Sequence, residues 1–353
     1  MLKKKAVNSD KPNIKELKTN NEKTTKLNDV MRDINKSLGK GAIKFGIDEE
    51  IKEKLPTGIQ QLDKFIGGGF PKGNFSILWG GNSAGKTSLA YHIIAENQKK
   101  GNICALLDVE HSFSSDRAGA FGVDLNKLVL VTGTTNAEEA MDAVITLAKN
   151  KVVDFMVIDS IQALSPRGDQ ETKTGALKSV EDDTMALLAR KMAKFLNMSK
   201  DAVYQGKVGV LLIGQIRTGG LGGYAPSATL TGGNAKDHFS LLTLFIKRGP
   251  KADAPTVKYK LHYKDDNGKE RYKTEDKIIG FNAVIRIDKQ KITGCSKENE
   301  EIRLPYYYDT GFKTPDLSDT SKYDEYDLSI VDTTETDEKI GEIKGATEWT
   351  QEN

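Results

Sequence analysis

The sequence contains only two cysteines, Cys104 and Cys295, in a chain of 353 residues. Two thiols cannot make a disulfide framework or a thiolate zinc site, and four histidines scattered singly add no cluster for a structural metal. The chain also lacks a run of about 18 apolar residues, which a membrane-spanning helix needs. Its basic start is followed by no apolar stretch of the secretory type. We therefore expect a soluble cytoplasmic protein with no membrane partner.

The net charge of the chain is only +2, but its charged residues are unevenly distributed along the sequence. Residues 1–46 carry 12 Lys/Arg against 5 Asp/Glu, whereas residues 313–353 carry 4 Lys against 12 Asp/Glu. A basic arm and an acidic tail are typical of proteins that handle polyanions, and equally of two solvated ends without a specific partner. We expect a flexible basic arm over residues 1–24 and a disordered acidic tail over residues 313–353.

The middle of the chain alternates between apolar runs of strand length and helical patterns. The apolar runs are Phe75–Trp79, Ile103–Leu107, Leu128–Val131, Phe155–Ile158, Val208–Ile213 and Leu241–Ile246. Helical patterns over Thr87–Gln98, Ala137–Lys149 and Thr184–Met198 lie between several of them. Strands that are apolar throughout, separated by helices, predict an α/β fold in which helices flank both faces of a mostly parallel central sheet. We assign this core to residues 55–312.

A short helix is predicted ahead of this core. Apolar residues recur at helical spacing from Leu27 to Leu38, and Gly39 and Gly41 stop the pattern. A helix with a single apolar stripe needs a surface on which to pack, either on its own domain or on a neighbouring subunit. We assign residues 25–54 to an N-terminal helix and linker that form a subunit contact.

The sequence changes character after Arg248. Val257–Tyr263 alternates between apolar and polar residues, and Asp265–Gly268 reads Asp-Asp-Asn-Gly, a strong turn signal. Strand-like patterns resume at Arg271–Lys273 and Ala283–Ile287. We expect antiparallel strands at the C-terminal edge of the central sheet.

A phosphate-binding loop is the clearest motif. Residues 80–87 read Gly-Gly-Asn-Ser-Ala-Gly-Lys-Thr, and they connect a predicted strand to a predicted helix. The glycines let backbone N–H groups surround a phosphate, and the helix N-terminus adds its dipole. Lys86 is expected to reach the β- and γ-phosphates, and the Thr87 hydroxyl to bind Mg²⁺. The predicted nucleotide-binding residues of this loop are Gly80, Asn82, Ser83, Ala84, Gly85, Lys86, Thr87 and Ser88.

Two acidic residues complete the predicted site. Asp159 ends the apolar run that begins at Phe155, and it is expected to hold Mg²⁺ through a water or to polarise its water shell. Hydrolysis also needs a group that orients or deprotonates the attacking water. Glu110 follows another strand and should reach the same sheet edge, so we predict it to be the general base. The alternative is an exposed acid at the end of a strand.

Further motifs follow the ends of the predicted strands. They are Glu110-His111, Asp159-Ser160, Gln215-Ile216-Arg217 and Thr231–Ala235, with Leu38–Gly46 and Pro56–Asp63 ahead of them. In this order and approximate spacing, over roughly residues 27–312, they resemble the RecA family of DNA recombinases. The resemblance implies a RecA-like P-loop ATPase core. The compact build is more similar to a phage-encoded member of that family, which would act in the cytoplasm of a bacterial host.

The resemblance also implies a function. A protein of this kind forms a helical filament on single-stranded DNA and pairs it with homologous double-stranded DNA, with DNA-stimulated hydrolysis of ATP to ADP and phosphate. ATP and Mg²⁺ are then the cofactors, and loading or single-strand-binding proteins are expected partners. No folded duplex-binding domain is predicted after Phe312, so duplex capture is assigned to the basic arm or to another protein. The acidic tail is expected to screen the DNA groove against duplex.

By resemblance, Gln215 is the switch residue that senses the γ-phosphate and repositions the segment after it, Arg217–Thr231. That glycine-rich segment and the loop Arg167–Asp183 are the expected DNA contacts. For the second of these loops, a solvated surface loop remains the alternative. The predicted DNA-binding residues are Arg167, Arg190, Arg217, Tyr224, Gly232, Gly233 and Asn234.

Two further assignments come from the resemblance. Lys289 and Lys291 match the paired lysines that reach the ATP of the adjacent subunit, where they would neutralise the transferring phosphoryl group. Arg117 stands where the family stacks an aromatic ring on the adenine. A guanidinium can also stack, so Arg117 is assigned to the base and nucleotide selectivity stays open.

Two other functions remain open on this fold. One is a hexameric ring helicase or related motor, which would form closed rings and unwind DNA. The other is a non-catalytic mediator that binds single-stranded DNA and uses ATP only as a switch. Helical filaments that lengthen with DNA and ATP would distinguish a recombinase from both.

Overall fold

The computed structural model describes residues 22–39, 42–46, 53–133, 136–164, 184–217, 229–230 and 239–326. These residues divide into two compact units, and the boundary falls immediately before Glu53. Within the described residues, no helix combines the length and the apolar character that crossing a membrane requires.

The first unit contains helix α1, which spans Glu22–Leu38 and confirms the helix predicted from the apolar spacing. It begins earlier than Leu27, inside the stretch assigned to a flexible arm, because residues 22–26 contain neither glycine nor proline to interrupt it. It ends where Gly39 takes a φ of +105°, a conformation that favours glycine. The contact of this helix with a neighbouring subunit stays a prediction.

The second unit contains the other described helices. They are α2 (Gln60–Phe65), α3 (Lys86–Lys99), α4 (Ser115–Ala120), α5 (Ala137–Lys149) and α6 (Thr184–Gly206). The Asn136 side chain caps α5, since its oxygen accepts from two N–H groups of the first turn. Helix α6 continues past its predicted end at Met198, because Ala202 and Val203 extend its buried face.

The strands of the described residues form three sheets. They are β1 (Lys54–Leu55), β2 (Phe70–Pro71), β3 (Phe75–Gly80), β4 (Cys104–Asp108), β5 (Leu128–Val131), β6 (Phe155–Asp159), β7 (Gly209–Arg217), β8 (Thr229–Leu230), β9 (Ser240–Arg248), β10 (Thr256–Lys264), β11 (Glu270–Ile278), β12 (Gly280–Gln290), β13 (Glu301–Tyr307) and β14 (Glu325–Tyr326). The largest sheet has the order β13-β12-β9-β3-β7-β6-β4-β5, and β8 pairs with β7. The six strands from β9 to β5 are parallel, whereas β12 and β13 are antiparallel. This confirms the predicted α/β fold with a mostly parallel central sheet.

Both faces of the central sheet are covered, which explains why its strands are apolar throughout. Side chains alternate across β3: Leu78 packs on one side with Leu89 and Ile93 of α3. Ile77 packs on the other side with Val144 of α5. Burial of one such side chain contributes about 1.5–3 kcal/mol. The two clusters hold the carboxyl ends of the parallel strands at one edge, where the polar motifs lie.

The antiparallel strands predicted after Arg248 divide between two sheets. Strands β12 and β13 lie at the C-terminal edge of the central sheet, as predicted. Strands β10 and β11 instead form a separate three-stranded sheet with β14, in the order β11-β10-β14, which corrects the prediction for these two strands. The physical reason is a small core of their own, in which Val257 packs with Ile279 and Tyr323.

The acidic tail predicted over residues 313–353 also differs from the structure. Residues 313–326 belong to the second unit, in which a 3₁₀ turn at Ser321–Tyr323 precedes β14. Tyr323 is buried, and the Asp324 carboxylate accepts a hydrogen bond of 2.8 Å from the backbone N–H of Lys260. The buried ring, this hydrogen bond and the pairing of β14 with β10 therefore attach this part of the acidic stretch to the second sheet. Residues 327–353 lie outside the described residues.

Candidate nucleotide-binding site

The loop between β3 and α3 has the backbone of a phosphate-binding loop. Gly85, at the N-cap position of α3, has a φ of +94°, which favours glycine. A Cβ on Gly80 would lie 1.9 Å from the carbonyl oxygen of Ile246 on β9, so no side chain fits there. The loop can therefore bring its N–H groups to one point beside the start of α3, where an anion is favoured.

Lys86 is unusually buried for a lysine. Its side chain is 8% exposed, and Nζ donates to the carbonyl oxygens of Gly80, at 3.1 Å, and Gly81, at 2.7 Å. Burial lowers the pKa of Lys86, and the negative charges of Asp159 and Glu110 oppose that shift. The ammonium group is thus held inside its own loop by carbonyl oxygens, which an anion could replace.

Thr87 and Asp159 meet across the loop. The Thr87 hydroxyl donates to Asp159 Oδ2 at 2.6 Å, although 72 residues separate the two in the chain. Burial raises the pKa of Asp159 to about 6; the hydrogen bond from Thr87 opposes this rise, and the charge of Glu110 adds to it. A hydroxyl beside a carboxylate suits Mg²⁺, which prefers oxygen ligands and keeps several waters. The two predicted metal residues are therefore together.

Glu110 receives two hydrogen bonds on one oxygen. Ser160, just after β6, donates to Glu110 Oε1 through its hydroxyl, and Gln215 of β7 donates to the same atom at 2.7 Å. The turn after β4 is held by Asp108, whose carboxylate accepts from the N–H groups of Ser112 and Phe113 at 3.0 and 2.9 Å. Because β4, β6 and β7 are neighbours, the predicted base and the predicted switch residue meet at one edge.

A second glutamine strengthens this junction. Gln162 Nε2 donates to the carbonyl oxygen of Gln215 at 3.1 Å. The contact ties Gln162, which follows β6, to the end of β7. Sequence reasoning missed Gln162 and also the role of Ser160, because a polar residue after a strand carries no sign of its partner.

Arg117 is held by hydroxyl groups. Its guanidinium donates to the Tyr306 hydroxyl at 2.9 Å and to Ser88 Oγ at 3.3 Å, and it lies 5.6 Å from the ring centroid of Phe121. Tyr306 and Ser88 also share a hydrogen bond of 2.9 Å. Tyr306, on β13, was missed because it lies 189 residues from Arg117 and gives no local signal.

Arg248 is a further residue that the sequence did not single out. Its Nε donates to the carbonyl oxygen of Ser83 at 2.9 Å, and its guanidinium lies 4.5 Å from the ring centroid of Phe281. The end of β9 thereby supports the phosphate-binding loop from the side opposite β7. A basic residue at the end of a strand next to β3 is the one signal that could have found it.

Lys289 and Lys291 do not meet the loop of their own chain. Lys289 lies opposite Thr243 of β9, and the Lys291 N–H donates to the carbonyl oxygen of Leu241. Gly80 of the loop, in contrast, lies opposite Ile246, further along the same strand. The two lysines are therefore toward the amino-terminal end of β9, away from the edge that holds the loop.

The predicted DNA-binding residues are only partly described. Arg190 is exposed on α6, and Arg217 ends β7, where its backbone pairs with Thr229 of β8. This antiparallel pairing places Thr229 and Leu230 beside the end of β7, next to Gln215. Arg167, Tyr224, Gly232, Gly233 and Asn234 lie outside the described residues.

Comparison with known proteins agrees with this geometry. The family model described as the RecA N-terminal domain matches residues 25–311. Protein RecA of Campylobacter hominis is 37% identical over 270 residues, which cover 75% of this chain and 70% of the relative. Protein RecA of Campylobacter lari is 35% identical over 282 residues, which cover 79% and 74%. Because a single match runs through the loop and the sheet that supports it, this chain belongs to the RecA family.

Proposed function

We propose that this chain is an ATP-dependent DNA recombinase. It forms helical filaments on single-stranded DNA, pairs that strand with homologous double-stranded DNA and promotes strand exchange, with DNA-stimulated hydrolysis of ATP to ADP and phosphate. The observation that carries the proposal is the 2.7 Å hydrogen bond from Gln215 to Glu110. It joins the candidate base to the residue from which a candidate DNA-binding segment departs. Membership of the RecA family supports the same conclusion.

The residues of the loop fit a nucleoside triphosphate with Mg²⁺. The buried ammonium of Lys86 has carbonyl oxygens as its hydrogen-bond partners, and such a charge is better satisfied by an anion. The pairing of Thr87 with Asp159 presents two oxygen ligands to a cation. We assign the phosphates to residues 80–88 and Mg²⁺ to Thr87 and Asp159. When bound, ATP supplies the phosphoryl group that water attacks.

The side chains around the loop have distinct roles in hydrolysis. Lys86 transfers its N–H donors from the Gly80 and Gly81 carbonyls to phosphate oxygens, and so stabilises the charge of the transition state. Glu110 accepts the proton of the attacking water. The Ser160 hydroxyl donates to Glu110 and keeps the carboxylate oriented.

Gln215 provides the coupling between the two sites. The N–H that donates to Glu110 Oε1 can donate instead to a terminal phosphate oxygen, but it cannot serve both acceptors fully at once. A turn of this amide toward phosphate releases the carboxylate for water. The same turn moves the end of β7, where Arg217 and the paired strand β8 begin the candidate DNA-binding segment. Gln162, bonded to the Gln215 carbonyl, extends the change to the other loop.

Neighbouring subunits complete the proposed site. Lys289 and Lys291 lie away from their own loop, which supports a role at the nucleotide of an adjacent subunit in the filament. There they neutralise charge on the transferring phosphoryl group, so that hydrolysis depends on assembly. Arg117, held by Tyr306 and Ser88, is assigned to the base of ATP. Loading and single-strand-binding proteins are proposed partners.

Electron microscopy of negatively stained samples tests the proposal. Purified full-length chain is mixed with single-stranded DNA and a non-hydrolysable ATP analogue, and Lys86→Ala serves as the nucleotide-binding control. We expect helical filaments whose length follows that of the DNA, and none with the variant. Closed rings would instead indicate a helicase or motor, and particles without regular assembly on DNA would contradict the recombinase assignment.

A further inference from the structure

The sheet β11-β10-β14 takes no part in the nucleotide site, and its two faces differ. Side chains alternate along a strand, so residues paired in register share a face. Val257 and Tyr259 lie on the face that packs on Ile279 and Tyr323, which we call the inner face. The opposite face, called the outer face, carries the side chains of β10 that alternate with these.

Three aromatic rings form a row across the outer face. The register places His262 of β10 opposite Tyr272 of β11 on one side and Tyr326 of β14 on the other. The His262 ring stacks on Tyr326 with centroids 4.7 Å apart and planes at 14°, and its centroid is 5.9 Å from that of Tyr272. Tyr272 is 58% exposed and Tyr326 50% exposed. Adjacent rings that stay this exposed are available for contact with a ligand.

Lysines accompany this aromatic row. Lys258, Lys260 and Lys264 alternate along β10 on the outer face, and the Lys260 ammonium lies 4.9 Å from the centroid of the Tyr272 ring. Across the described part of the chain, no carboxylate forms an ion pair with any of these three lysines. Acids lie near all three lysines: Asp276 and Glu270 are opposite Lys258 and Lys264 in the register. The Asp324 carboxylate accepts from the Lys260 backbone N–H and lies 3.9 Å from His262 Nε2.

The cations of β11 on the inner face, by contrast, form ion pairs. There, Lys277 is paired with Glu325 at 2.7 Å and Lys273 with Glu275 at 2.6 Å. Arg271 is paired with Asp265 at 3.1 Å. The cations of β11 on that face are thus held in ion pairs. Among the described residues, the lysines of β10 on the outer face form no such pair, so their ammonium groups can reach an external anion.

Flat exposed rings beside free ammonium groups suit unpaired nucleotides. Bases stack on aromatic rings and the backbone phosphates bind lysine, a combination that does not require a particular base sequence. The bases of a duplex are stacked on one another and leave no face for a tyrosine. We infer that the outer face binds an unpaired DNA strand, with bases on Tyr272 and Tyr326 and phosphates on Lys258, Lys260 and Lys264. That the strand is DNA rests on the proposed function.

Photochemical crosslinking of the full chain tests the location. The probe is a thymidine oligonucleotide in which 5-iodouracil replaces some of the thymines, irradiated with the protein in the presence and absence of ATP, after which the crosslinked peptides are identified by mass spectrometry. The ring contacts of Tyr272 and Tyr326 that the described residues show lie within their own sheet, so crosslinks at both are expected in both conditions. A failure of the proposed recombinase function would leave these crosslinks in place, whereas their absence in both conditions would overturn the inference.

Substitutions test how much the tyrosines and lysines of the outer face contribute to the affinity for single-stranded DNA. Without nucleotide, Tyr272→Ala and Tyr326→Ala are each expected to weaken single-strand binding about tenfold, because a base–aromatic stack is worth about that factor or more. Tyr308→Ala is the matched control, since Tyr308 is equally exposed at 50% but lies outside this sheet. Replacing Lys258, Lys260 and Lys264 by Gln should make the plot of log affinity against log salt shallower by about 2.

A DNA duplex or a second copy of this chain on the outer face would give different results. If the tyrosine variants weaken binding of a blunt duplex and leave single-strand binding unchanged, the assignment to an unpaired strand is wrong. If they lower the mass of the DNA-free assembly in light scattering instead, the row is a contact between copies of this chain. Unchanged affinity for single strands in both tyrosine variants would also contradict the inference.

Discussion

The side-chain amide of Gln215 donates to the carboxylate of Glu110 across 2.7 Å, although 105 residues separate the two in the chain. Ser160, from the strand between theirs, donates to the same oxygen. A single carboxylate oxygen therefore receives groups from the ends of two further strands, one of which leads into a candidate DNA-binding segment. Substitutions of Glu110 and of Gln215 should therefore have different effects, which can be measured separately.

Glu110→Gln should separate hydrolysis from assembly. An amide cannot accept a proton from water, and a general base contributes on the order of a hundredfold or more in rate. We expect ATP hydrolysis, measured by phosphate release with single-stranded DNA, to fall by about that factor while DNA binding with ATP is retained. Glu300→Gln, at an exposed position outside the site, is the control. Equal turnover in both variants would show that Glu110 is not the base.

Gln215→Ala should remove the coupling between ATP binding and DNA binding but leave nucleotide binding intact. In the unmodified chain we expect ATP to raise the affinity for single-stranded DNA, because the Gln215 amide links the two sites. Fluorescence anisotropy with labelled DNA, with and without an ATP analogue, should show that this gain disappears in the variant. Lys86→Ala is the comparison, since it should lose ATP binding and the gain together. A full gain in Gln215→Ala would refute the switch assignment.

Arg117→Ala should weaken ATP binding more than Tyr306→Phe does. The first change removes the group assigned to the base, whereas the second removes one of its two hydroxyl partners and leaves Ser88. Loss of the buried Tyr306 hydroxyl should lower the free energy of unfolding by about 1 kcal/mol. Calorimetric titration with ATP and GTP measures the affinities and the selectivity. If Arg117→Ala binds both nucleotides as the unmodified chain does, Arg117 does not contact the base.

His92 should make the stability of the second unit depend on pH. The ring is buried, its Nε2 accepts from the Phe312 N–H at 3.0 Å, and it stacks on Phe121 at 5.3 Å. Burial, with a smaller effect from the charge of Lys313, lowers the pKa of His92 from 6.5 to about 4. Between these values the unfolded chain takes up a proton that the folded chain refuses, so stability falls as pH falls through this window.

Urea unfolding of the full chain and of His92→Gln measures this effect. From pH 7.5 to 5, the unmodified chain should lose about 2 kcal/mol more of its unfolding free energy than the variant. Asp159, with its pKa raised to about 6, acts in the opposite sense in both proteins, so its effect cancels in the difference. Parallel pH profiles would show that His92 is not the titrating group.

Much of the site could be predicted because its motifs are local. The glycines of residues 80–87 by themselves indicate the backbone of a phosphate-binding loop. Apolar runs precede Glu110, Asp159 and Gln215, and so place these three side chains at one edge of the sheet. Tyr306 and Gln162 could not be found in this way, and Arg248 is marked only as a basic residue at the end of a strand. Each acts on a group brought near by strand order, and nothing in the flanking residues of any of them indicates that partner.

The second sheet shows the same limit. The alternation in Val257–Tyr263 and the turn at Asp265–Gly268 predicted a hairpin correctly, since both depend on neighbouring residues. The separate sheet in which the hairpin lies also includes β14, and its small core includes Tyr323, a residue far along the chain in an acidic stretch that otherwise has the composition of a solvated tail.

The amino-acid sequence by itself determined the longer helices, most strands of the central sheet and the place where a phosphate can be bound, because periodicity and backbone conformation are properties of short stretches of chain. The tertiary structure alone decided that Gln215 meets Glu110, that Tyr306 holds Arg117 and that three aromatic rings align across β11, β10 and β14. These contacts depend on the order and register of strands, which is set by the packing of the whole core and is not encoded at any one position.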